Sequence, residues 1–106
     1  RATEVGATLL YHPWPGESHS DHRATALAAR RALELCKAAG RGYEVWSPLP
    51  ARFILDITPV LDLKRRAIAA HASQVGYTDY LHHTLGLNAH RGLYLPGRGG
   101  YGEAFL

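Results

Sequence analysis

A short apolar run that stops at two prolines and leads directly into an alanine-rich segment is the feature that most restricts what this chain can fold into. The run, GATLLYHPWP (6–15), reads as a buried strand over 7–12. HSDHRATALAARRALELCKAAG follows, and its spacing predicts a helix over 22–39. Ala24, Leu27, Ala28, Ala32, Leu35, Cys36 and Ala39 recur near the 3.6-residue period and predict the packed face. Arg23, Arg30, Lys37 and Arg41 fall largely elsewhere. Ser20 is placed to N-cap the helix and Gly40 to stop it. A strand followed at once by a capped amphipathic helix predicts α/β layers, with strand 7–12 central and the helix packed on it.

The remaining chain keeps this alternation. GYEVWSPL and RFILDI read as strands, separated by a turn at Pro48 and Pro50. TPVLDLKRRAIAAHASQV reads as a helix with Thr58 as N-cap and Pro59 at the first helical position. A third helix starts at Thr78 and runs through DYLHHTLGL, and GLYLPGRGGYGEAFL reads as a loop and a terminal strand. The order strand, helix, strand, strand, helix, helix, strand predicts an α/β domain. Because the first strand begins almost at residue 1, the expectation is the C-terminal part of a larger domain of that class. A length of 106 residues allows at most one domain.

Composition narrows the function classes. With 46% hydrophobic residues, 20% charged residues and 11 glycines, the chain matches a soluble globular protein. No apolar run approaches the ~20 residues of a membrane span, and no signal segment opens the sequence. The single cysteine, Cys36, cannot form an internal disulfide, which fits a reducing, cytoplasmic setting. Its position predicts an inert core thiol rather than a nucleophile. The net charge is +3, but the basic residues are spread among Glu34, Asp56 and Asp62 rather than gathered on one face with aromatics. That argues against a nucleic-acid partner. Homo-oligomerisation is left open.

The chemistry-bearing stretch is GESHSDHRAT (16–25). His19 and His22, three apart at a helix start, can face the same region. The exposed N–H groups of the first turn disfavour imidazolium, and neutral imidazole is the form that ligates a metal. Asp21 could hold one ring in a fixed tautomer, as carboxylates behind metal ligands do. The preceding loop PWPGES ends a strand, where α/β folds place functional side chains. Other constellations are weaker. His12-Pro13 begins like a metal motif but continues as Trp14-Pro15. His82 and His83 diverge by about 100° on a helix and read as surface or interface residues. GRGG (97–100) lacks the Lys-Ser/Thr of a phosphate loop and reads as a turn. His71 shares a helical face with Ala67 and Val75 and reads as a packed histidine. Ser73, His71 and Asp56 could be assembled into a triad on paper, but no nucleophile elbow supports it.

Three motifs in order, His19-Ser20-Asp21-His22, then Lys64 through Ala67 to His71-Ala72-Ser73-Gln74, then Tyr101-Gly102-Glu103-Ala104-Phe105, resemble the PIG-L/LmbE-like N-acetylglucosaminyl deacetylases. They span nearly the whole chain and are far more specific together than singly. The resemblance implies a Rossmann-like three-layer α/β sandwich and a zinc-dependent amide hydrolase acting on an N-acetylated amino-sugar conjugate. It implies that His22 is a zinc ligand and that His19 is the catalytic histidine, which stabilises the tetrahedral oxyanion or protonates the leaving amine. Asp21 would be its supporting carboxylate. Ser20 stands where the family usually has proline. The family's His-Pro-Asp-Asp-Glu motif, which supplies the other ligands and the general base, is absent from 1–106, so the chain is expected to hold part of the site and to be inactive alone. The rival expectations are a non-catalytic fragment or interaction domain, and a zinc hydrolase for a different amide. The roles of His71, Ser73, Gln74 and Glu103 are left open, with structural ones favoured.

Overall fold

Strand β1 (Leu9–Pro13) leads through helix α1 (Ser20–Cys36) to β2 (Ala39–Tyr43). β2 lies parallel to β1 in a register running from Leu9↔Ala39 to Pro13↔Tyr43. The helix makes this pairing possible, since parallel neighbours need a crossover rather than a hairpin. The computed structural model describes residues 3–71, 73 and 76–106. After β2 come β3 (Phe53–Asp56), a 3-10 turn (Thr58–Val60), α2 (Leu61–Ala69), α3 (Tyr80–Arg91), a second 3-10 turn (Gly92–Tyr94) and β4 (Gly102–Phe105). The strands form one mixed sheet in the order β1-β2-β4-β3. The protein is thus an α/β sandwich, the class its sequence pattern predicts. No helix among the described residues is long and apolar enough to cross a membrane. The chain divides into two compact units, Arg1–Phe53 with Ala104–Leu106, and Ile54–Glu103.

In the first unit α1 packs against β1 and β2, as expected. The packed face is not the predicted one. Ala26 and Ala29 are buried, and Leu33 lies so close to β2 that a Cβ on Gly40 would approach its Cδ1 to 2.6 Å. His22, Ala26, Ala29 and Leu33, spaced four, three and four, therefore form the inward stripe. Leu27 and Leu35 are 62% and 82% exposed. Alanines occupy both faces, so periodicity could not separate them, and small residues won the inward side because they let the helix approach the sheet. Gly40 accordingly belongs to β2 and is not the helix stop. α1 ends at Cys36, and its C-cap Lys37 adopts a left-handed φ of 54°. Cys36, in the last turn, is half-buried rather than a core thiol. β1 is an edge strand of the described sheet, not a central one. β2 meets β4 antiparallel at Tyr43↔Phe105. Phe105 stacks on Phe53 at 5.1 Å and meets Tyr11 edge-on at 5.7 Å.

In the second unit Thr58 does not N-cap α2. Its Oγ1 accepts the Tyr101 N–H at 2.9 Å, while Pro59 sits at the start of the 3-10 turn that precedes the helix. The GRGG segment is a turn, with φ of 85°, 50° and 82° at Gly97, Arg98 and Gly100. Any side chain at Gly100 would collide with Thr58 Oγ1. Asp79, one residue after the predicted start, caps α3 by accepting the His82 N–H at 3.0 Å. His82 and His83 are exposed, as expected. α2 ends at Ala69, and His71 is exposed rather than packed. Ser73 is also exposed. Gln74, with Ala72 and Val75, lies outside the described residues. Lys64 and Glu103, from separate motifs, form an ion pair at 3.1 Å.

Candidate functional site

The loop between β1 and α1 is tied to the loop after β2 at several points. Trp14 donates its backbone N–H to Tyr43 O at 2.9 Å and its indole N–H to Ser47 O at 2.8 Å. The indole then fills the space beside Gly16, where any Cβ would collide with its six-membered ring. Glycine leaves the room that the indole occupies. The next residue, Glu17, is 1% exposed.

Glu17 Oε1 accepts the backbone N–H groups of Val45 at 2.8 Å, Trp46 at 3.1 Å and Ser47 at 3.2 Å. Its Oε2 lies 3.1 Å from the Trp46 amide and 3.2 Å from His22 Nδ1. Three successive amides on one carboxylate form an anion-binding concavity. They also explain why β2 stops at Tyr43 instead of continuing through the predicted strand GYEVWSPL: the N–H groups of 45–47 serve Glu17 rather than a ladder. Burial by itself would raise the Glu17 carboxyl. The Val45 amide, the His22 ring and the amides of Trp46 and Ser47 outweigh it, so the group is held below its ordinary value.

Helix α1 starts at this loop. The N-cap is His19 rather than the predicted Ser20: its backbone is extended (φ −75°, ψ 133°) and its Nδ1 accepts the Asp21 N–H at 3.2 Å. With Nδ1 used as an acceptor, neutral His19 carries its proton on Nε2 and presents a donor there. The Asp21 carboxylate accepts the Ser20 hydroxyl at 3.2 Å, so the carboxylate in contact with a ring is that of Glu17. His22 lies in the first turn of the helix, on the inward stripe. Its ring centroid is 4.9 Å from that of His19. Trp46, 46% exposed, stands edge-on to both rings, at 5.2 Å and 6.1 Å. Arg23 Nη1 donates to the carbonyls of Glu17 and Ser18 at 3.2 Å and 2.7 Å, fixing the loop from the helix side.

Of the three residues singled out in sequence, His19 and His22 are thus brought together, and Asp21 reaches His19 through its backbone. His22, with Nδ1 against a carboxylate, fits a metal ligand through Nε2. Among the described residues no group of three or more His, Cys, Asp or Glu could hold a metal ion. Glu17 and Trp46 escaped the sequence reading. No spacing rule links a loop glutamate to amides 28 to 30 positions later.

No family model matches the chain, and no curated protein does. The crystal structure of the conserved protein TT1542 from Thermus thermophilus superposes with a TM-score of 0.85 at 21% identity, over 99% of this chain and 53% of that one. At that identity the likeness shows the fold. The chain spans about half the length of that structure.

Proposed function

We propose that this chain carries the C-terminal part of a zinc-dependent hydrolase site that removes the acetyl group from an N-acetylated amino-sugar conjugate in the cytoplasm. The observation that supports this most is the pair of imidazoles at the start of α1, 4.9 Å apart and in different hydrogen-bonding states. His19 spends Nδ1 on the Asp21 amide and keeps an N–H donor. His22 sets Nδ1 against the Glu17 carboxylate. A hydrogen-bond donor beside a metal ligand is what amide hydrolysis at a metal requires, and the motif resemblance supplies the reaction and substrate class.

In this reading His22 is one protein ligand, and the remaining ligands and the general base come from a segment outside 1–106. When bound, zinc supplies Lewis-acid polarisation of the acetamide carbonyl and a water whose pKa falls towards ~7. His19 Nε2–H would meet the charge that develops on the carbonyl oxygen. Asp21 keeps His19 in the required tautomer through its backbone N–H. Trp46 borders the pair and shields it on one side.

The test is acetate release by the full-length protein from N-acetylglucosamine conjugates and from a panel of other N-acetyl amides. The expected result is hydrolysis of the amino sugars that chelation abolishes and zinc restores. Zinc-dependent hydrolysis of other amides alone would replace the substrate class. No hydrolysis of any amide by the zinc-loaded protein would favour an interaction domain.

A further inference from the structure

We propose that Glu17 is a positioning residue that holds His22 as the Nδ1–H tautomer and so keeps its Nε2 lone pair available for a divalent metal. The metal half of this statement rests on the hydrolase reading above; the tautomer half rests on geometry alone. A backbone amide can only donate. The amides of Val45, Trp46 and Ser47 therefore oblige Oε1 to accept, and the second contact of the Trp46 amide makes Oε2 an acceptor as well. At 3.2 Å from Oε2, His22 Nδ1 faces an acceptor and must supply the proton. Neutral imidazole has one N–H, so Nε2 is left with its lone pair. The carboxylate side chain is fully buried and the His22 side chain 25% exposed, so water does not compete strongly for the Nδ1 contact.

The same contacts extend beyond the ring. Glu17 grips the backbone on both sides of Trp46, so the group that orients His22 also sets where Trp46 stands beside the two imidazoles. An ionised side chain with no exposure, spent on one ring nitrogen and three amides, is otherwise a costly way to close a loop. Orienting a ligand is the use that accounts for it.

Glu17→Gln separates positioning from mere support. Glutamine has one acceptor oxygen, which the three amides claim, and its NH₂ group then faces His22 Nδ1. A donor at that place turns Nδ1 into an acceptor and moves the ring proton to Nε2. The measurement is the pair of ring nitrogen shifts of His22 in long-range ¹⁵N–¹H correlation spectra of the chain, at about pH 8, where ordinary imidazole is neutral. Wild type should show Nδ1 protonated and Nε2 bare, and Glu17→Gln should show the reverse, with circular dichroism unchanged. A wild-type ring protonated on Nε2, or a folded Glu17→Gln variant that keeps the wild-type tautomer, overturns the proposal. Should Glu17→Gln fail to fold, the wild-type spectrum decides by itself. The expected tautomer in a full-length protein that hydrolyses nothing would refute the hydrolase reading and leave the positioning role intact. The reverse tautomer in an active enzyme would do the opposite.

Discussion

Replacing Glu17 by alanine should cost the protein a large share of its stability. The variant removes the acceptor for the amides of Val45, Trp46 and Ser47 and for the His22 ring. Hydrogen bonds to a charged group contribute ~1.5–3 kcal/mol each, so three amides set an upper range of roughly 5–9 kcal/mol. Two effects reduce it. The loop over 45–47 is only partly buried, so water can enter and rehydrate the amides. Removing a buried carboxylate also cancels its desolvation penalty, itself several kcal/mol. A net loss of about 3 kcal/mol results, against a total of ~5–15 kcal/mol expected for a chain of this size. The variant should remain folded, with a melting temperature lower by roughly 12–24 °C. Urea unfolding at neutral pH measures the difference directly. The dependence on pH has a definite sign. The folded carboxyl lies below its ordinary value of 4.5, so the unfolded chain binds the proton more readily. The wild-type advantage is therefore fully present above about pH 4.5 and is lost as pH falls through the lowered value. A difference under about 1 kcal/mol at pH 7, or one that grows on acidification, would show that the carboxylate does not hold this loop.

Gly92→Ala should destabilise by roughly 2–4 kcal/mol in the same assay, because the new Cβ collides with the Gly100 carbonyl, a backbone group that cannot rotate away. A double-mutant cycle on Lys64→Ala and Glu103→Ala should give a coupling of about 0.5–1 kcal/mol, the scale of a partly exposed ion pair; zero coupling would reduce the contact to coincidence. Asn88→Ala should cost about 1–2 kcal/mol, since it removes the amide that donates to Gly102 O at 2.8 Å. Residues 1–106 alone should bind zinc only weakly, as the resemblance assigns them one sure ligand, and tight stoichiometric binding by calorimetry would mean that further ligands lie within the chain.

The order of elements was legible because strong local signals bound them: prolines after β1, glycines before β4, and Thr78, one residue short of the true cap Asp79, before α3. The position of the candidate site was legible for a similar reason, since His19 and His22 are neighbours in sequence and at the helix start alike. What could not be read depends on contacts far apart along the chain. The inward face of α1 was decided by how closely Leu33 approaches Gly40, and alanine on both faces hid that choice. The end of β2 was decided by Glu17, whose carboxylate takes amides that local propensity would assign to a strand. Thr58, a suitable helix cap by type, spends its hydroxyl on Tyr101 because the turn at 97–100 returns the chain there. His19 took the cap from Ser20 because an imidazole nitrogen can accept an amide as a hydroxyl does, which residue ranking does not anticipate.

The division of labour between His19 and His22 is the point on which the account depends most. It is tested by metal content and turnover of purified full-length His19→Ala and His22→Ala variants, with circular dichroism confirming that each is folded. His22→Ala should lose zinc and activity together. His19→Ala should keep its zinc while kcat falls by roughly 10²–10³-fold, the scale of a lost hydrogen-bond donor to a developing oxyanion. Wild-type metal content and turnover in both variants would make the two histidines ordinary helix-start residues and contradict the account.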